Sequence, residues 1–119
     1  MGDRISIQYK NGEEKSVILF SHWQGKSLKE KMNEHYQKVV KPLHDQNGDQ
    51  IPLSRMEPGT VMVDFIRFLV SKDPFKPVAS DLYLAEDLND GDNSDNGHYI
   101  LDLQTGKFTH IKGEYEHGS

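Results

Sequence analysis

Residues 15–25 read KSVILFSHWQG. Val17, Ile18, Leu19 and Phe20 are an unbroken apolar run, the pattern of a strand buried on both faces and so placed centrally in a sheet. Burying each such side chain is worth about 1.5–3 kcal/mol. Ser21, His22, Trp23 and Gly25 follow at once, so the only Trp of the chain and a His sit where this strand leaves the core. Alternation puts Ser21 and Trp23 on one face and His22 on the other, with Ile18 and Phe20.

Upstream, Ile5, Ile7 and Tyr9 alternate with Ser6 and Gln8, which predicts a strand with one wet face at a sheet edge. Asn11-Gly12 between the two strands is a hairpin signal. Downstream, Ser27-x-x-Glu30 predicts a capping box opening a helix. Leu28, Met32, Tyr36, Val39 and Val40 form its buried stripe, and Pro42 stops it near Val40. Residues 42–56 carry two prolines and an Asn-Gly pair and read as a long loop. From Pro58, the spacing of Val61, Met62, Phe65, Ile66 and Leu69 predicts a second helix.

The last third holds three short strands: 81–85, 98–103 and the return strand KFTHIK. Tyr99, Leu101 and Leu103 share a face, and Gln104-Thr105-Gly106 makes the hairpin loop. The order strand, strand, helix, helix, strand, strand, strand predicts an α+β fold of two layers, a mainly antiparallel sheet with both helices on one face. Residues 1–112 make one domain, and 113–119 a polar tail.

The apolar fraction is 34%, enough for one modest core, and no apolar run reaches the roughly 18 residues of a membrane helix. With no cysteine there are no disulfides, thiolate metal sites or Cys nucleophile, which fits a cytoplasmic protein. A net charge of −5 argues against a nucleic-acid-binding surface over the whole domain. The charge is uneven: residues 1–79 hold 12 basic and 10 acidic side chains, residues 80–119 only 2 basic and 9 acidic. The acidic end reads first as a solvated face and second as a site for a cation or a basic partner.

Asp92-x-Ser94-x-Asn96-Gly97 matches the first half of an EF-hand-type calcium loop, where alternating oxygens wrap a hard cation. The twelfth position is Leu103 where a bidentate Glu is needed, so Asp90, Asp92 and Asp95 are left as loose candidate ligands. Asp- and Asn-rich turns also arise because these side chains mimic backbone hydrogen bonds. No pair among the six histidines has zinc spacing. His22 and His98 each stand beside an aromatic at a strand end, as half-buried structural donors or as a metal or acid–base pair. Ser21 and His22 point to opposite faces and do not make a nucleophile pair. If the strands at 17–23 and 98–103 are antiparallel neighbours, His22, Trp23, Asp92 and His98 share one rim of the sheet.

The opening MGDR, the LFSHWQG motif and GDNSDNGHYILDL together resemble a group of short uncharacterised proteins of phages and prokaryotes. These begin MG[ND]R, carry [YFL]-[ST]-H-W-x-G at a similar distance, and have an Asp-Asn pair ahead of an apolar strand. This chain has Gln24 where the commoner form has a first Gly. The resemblance implies a shared scaffold and surface, with no reaction or cofactor assigned. The expected function is a non-catalytic binding module acting through a protein partner or self-association, with Ser21, His22, Trp23, Asp92, Asp95 and His98 as its surface. The alternatives are a metal-dependent hydrolase or nuclease using His22, His98 and the acidic loop, and a calcium-stabilised structural domain.

Overall fold

The computed structural model describes residues 3–41, 57–72, 82–88, 91 and 93–111. The strands are β1 (Ile5–Asn11), β2 (Glu14–Lys15), β3 (Ile18–Ser21), β4 (Leu82–Ala85), β5 (His98–Asp102) and β6 (Phe108–Ile111). Helix α1 (Lys26–His35) continues into a π-helical turn, Tyr36–Val40, and α2 spans Pro58–Lys72. The sheet order is β4-β3-β1-β5-β6, with β2 paired to β1. Four of the five pairings are antiparallel, and β1·β5 is parallel. Both helices pack on one face: Leu28, Met32, Tyr36, Val40, Val61, Met62, Phe65 and Leu69 meet Ile5, Ile7, Tyr9, Leu19, Tyr99, Leu101 and Leu103 in one core. This is the expected two-layer α+β arrangement.

The first correction concerns the centre of the sheet. β1 holds it, with β3 on one side and β5 on the other. Its polar face is not wet, since Ser6 and Gln8 are both buried. β3 lies one strand out, and Ile18, Leu19 and Phe20 are buried as expected, but Val17 is 37% exposed. The cause is a β-bulge. Between the pairs Ile7↔Leu19 and Lys10↔Lys15, three steps on β1 face four on the returning chain. One extra residue turns the local side chains. Ser16 sits there, accepting the Tyr9 N–H on its Oγ at 3.0 Å while its own N–H donates to the Tyr9 carbonyl at 2.9 Å.

The second correction concerns α1. Its N-cap is Gly25, and no side chain caps it. Ser27 Oγ instead donates to the Gln24 carbonyl at 2.6 Å. The π-helical turn then resets the phase of the stripe. Its wider turn aligns Tyr36 with Val40, which are both buried, and leaves Val39 half-buried. α2 follows its expected stripe, with Phe65 fully buried against Tyr9. The long loop at 42–56 and the tail at 113–119 lie outside the described residues.

Candidate functional site

The segments carrying the MGDR, SHWQG and Asp-Asn motifs meet at one end of the sheet. The Asp3 N–H donates to the His22 carbonyl at 2.8 Å, and the Gly25 N–H to the Asp3 carbonyl at 2.9 Å. Asn96 Nδ2 donates to Asp3 Oδ1 and to the Arg4 carbonyl, and the Arg4 N–H donates to Asp95 Oδ2 at 3.0 Å. Arg4 and Asp95 also face each other as an ion pair at 3.8 Å. Gly25 has φ +55 and ψ −147. A Cβ there would stand 2.0 Å from Asp3 Oδ2. Only glycine fits that backbone and that approach.

From this junction the chain displays an aromatic row on the sheet face opposite the helices. The Phe20 ring stacks on Tyr83 at 5.0 Å and 6°, and His22 lies on Tyr83 at 5.0 Å. Trp23 is tilted against His22 at 5.7 Å and is 56% exposed. Gly91 packs against Phe20, so close that an added Cβ would stand 2.5 Å from the ring.

His98 is 1% exposed and has both ring nitrogens engaged. Gln8 Nε2 donates to the Ser16 carbonyl at 2.8 Å, which turns Gln8 Oε1 toward His98 Nε2 at 3.0 Å. Nε2 therefore carries the proton, and Nδ1 accepts from Ser6 Oγ at 2.7 Å. Asn93 Nδ2 in turn donates to Ser6 Oγ at 2.8 Å. Burial pushes the His98 pKa down to about 4, and the charge of Lys15 adds to this against an opposing contribution from the Ser6 backbone.

β3, which ends at Ser21 just before His22, runs antiparallel to the strand that begins at His98, but β1 separates them. His98 is opposite Ser6, and Ser6 is opposite Phe20, so His98 and Phe20 stand about 10 Å apart by strand spacing. His22 belongs to the aromatic row and His98 to the buried network. Ser21 is buried, its Oγ accepting the Gln24 N–H at 3.1 Å. Asp90 and Asp92 lie outside the described residues. In the half-motif for calcium, Asn96 is buried and its amide is committed to Asp3 and Arg4. Among the described residues no three His, Asp or Glu side chains are grouped to hold a metal ion. No described helix is long and apolar enough to cross a membrane.

Sequence reasoning missed a second buried histidine. His35 Nε2 donates to Asp64 Oδ2 at 2.6 Å, and Arg67 Nε donates to Asp64 Oδ1 at 2.9 Å. Tyr9 OH lies 3.4 Å from His35 Nδ1. Burial lowers the His35 pKa against the raising effect of Asp64. Burial alone would raise Asp64, but hydrogen bonds from Arg67 and His35 hold it below its ordinary value. The signal was present, because position 35 falls in the stripe of Leu28 and Met32 and so faces the core. No protein-family model, curated protein or solved structure matches the chain.

Proposed function

We propose that this chain is a non-catalytic binding module acting through a protein partner or through self-association. The observation that carries the reading is Trp23, 56% exposed at the end of the row formed with His22, Tyr83 and Phe20. Large aromatic side chains at a surface are the usual anchors of protein interfaces. The chemistry-bearing side chains support it from the other direction. Both nitrogens of His98 are used inside the sheet, and His35 is spent on Asp64 and Tyr9. A cytoplasmic location and kinship with the phage and prokaryotic group belong to the same proposal.

Trp23 is the sole tryptophan, so its emission reports on this surface alone. Sedimentation equilibrium across protein concentration, followed by Trp23 emission, reads self-association directly. Trp23→Ser lowers any association while leaving folding stability within about 0.5 kcal/mol, as for surface changes generally. A loss above about 2 kcal/mol in that variant would make Trp23 a packing residue and end the reading. The rival metal readings predict a rise in melting temperature with calcium, magnesium, manganese or zinc. A ligand at a hundred times its Kd adds about 2.7 kcal/mol. The binding-module reading expects no rise.

A further inference from the structure

We propose that His98 is an acid-sensitive clasp: neutral, it holds residues 93–97 against β1; protonated, it releases them and uncovers Phe20. The geometry makes the clasp one-directional. The chain of donors runs from Asn93 to Ser6, from Ser6 to His98 Nδ1, and from His98 Nε2 to Gln8. A proton arriving at Nδ1 turns that acceptor into a donor. The Ser6 hydroxyl hydrogen must then point elsewhere, in a residue that is 0% exposed. Asn93 already aims an N–H at the same oxygen. Either the buried hydroxyl goes unsatisfied or Asn93 is displaced and water enters.

Among the described residues no charged group around the ring rescues the imidazolium, and the Ser6 backbone alone favours it. On β1 its partners Ser6 and Gln8 are neutral, and on β6 it faces Ile111. Lys15 on β2 opposes a second positive charge. Asp95 is engaged with the Arg4 N–H and guanidinium at the base of the loop. From β6, His110 reaches the loop, its Nε2 donating to the Asn96 carbonyl at 3.0 Å. His35 is the contrast, because an imidazolium formed there would lie against the Asp64 carboxylate that its Nε2–H already contacts. Loop release reaches the aromatic row through Gly91, which lies on Phe20, and Phe20 is stacked on Tyr83. What that exposure does to binding rests on the function proposed above; the release itself does not.

Amide hydrogen exchange tests it in the intact chain. The Asn96 N–H donates to the Arg4 carbonyl and the Ser6 N–H to the Gly97 carbonyl, so both report whether the loop is closed. Corrected for the intrinsic pH dependence of exchange, loop opening rises as pH falls from about 6.5, the ordinary His value, towards 4. The limit is about 300-fold if opening returns His98 to water. Amides of the β1–β3 ladder stay protected. The opening midpoint coincides with the titration of the His98 ring read by NMR. His98→Gln, which keeps a donor and an acceptor but does not titrate, abolishes the acid response, and His110→Gln keeps it. Wild-type protection unchanged while His98 titrates would overturn the proposal, as would an acid response surviving in His98→Gln. Should His98→Gln not fold, separation of the two wild-type midpoints by more than about one pH unit would overturn it equally.

Discussion

Substituting Gly25 by Ala probes the junction where the N-terminal strand, the His22–Trp23 turn and the loop before β5 meet. Two costs act. The backbone at φ +55 and ψ −147 is nearly closed to residues with a Cβ, at about 1–3 kcal/mol. The added methyl also stands 2.0 Å from Asp3 Oδ2, so the carboxylate must leave. Its departure breaks the 2.6 Å bond that Asn96 donates to Asp3 Oδ1, a charge-assisted contact worth about 1.5–3 kcal/mol before discounting for the exposure of Asp3. With that discount, about 1–2 kcal/mol of the loss belongs to the Asp3 contact. Asp3→Ala alone loses the same contact. The double variant therefore loses it once, and its cost falls short of the sum of the singles by about 1–2 kcal/mol. Urea unfolding of the wild type and three variants, with slopes checked for two-state behaviour, measures the cycle. Additivity within about 0.5 kcal/mol would refute the reasoning, because strain alone would then explain Gly25.

Phe65→Ala should cost about 3–5 kcal/mol in the same assay, since Phe65 is fully buried against Tyr9, His35 and Phe68. The folded pKa of His98 lies below its ordinary value, so the unfolded chain takes up the proton first as pH falls. Its stability contribution is fully present above about pH 6.5 and is lost towards pH 4, a change of about 3 kcal/mol. Urea unfolding from pH 7 to pH 4, read as the difference between wild type and His98→Gln, isolates that slope from those of His35 and Asp64.

The elements were legible because their signals are local. The periodicity of Val61, Met62, Phe65 and Leu69 marks α2, and the hairpins at Asn11-Gly12 and Gln104-Gly106 follow from turn chemistry. The strand order was not legible. Alternation at Ile5–Tyr9 suggests water on the Ser6–Gln8 face, because a strand cannot show what lies on its far side. Here that side is occupied by His98, Asn93 and Ser16, residues far away in sequence or inside a bulge. Ser27 reads as the cap, whereas the close approach of Asp3 fixes the helix start at Gly25. Of the candidate surface, Trp23 and His22 share the aromatic row, and His98 turned inward.

The parallel pair β1·β5 explains why the inward turn of His98 matters to the fold. Antiparallel neighbours joined by a hairpin inherit their register from the turn. β1 and β5 have most of the chain between them and no shared turn. Their register, Ser6↔His98 and Gln8↔Ile100, must come from side chains. Slipping β5 by one residue would carry His98 into the face that holds Ile7 and Tyr9, against Phe65, with no acceptor for Nε2–H. Each stranded polar group there costs about 1–3 kcal/mol. Slipping by two keeps the face but sets His98 between Gln8 and Lys10 in place of Ser6 and Gln8. Nδ1 then meets an ammonium stem where it had a hydroxyl, and Asn93 loses its tie to the ring through Ser6. Only the observed register satisfies both ring nitrogens and the loop together. The alternating Ser6 and Gln8 thus place β1 at the centre for the reason that first suggested an edge: their polar groups choose the partner strand, and the apolar run of β3, which pairs less selectively, takes the position outside it.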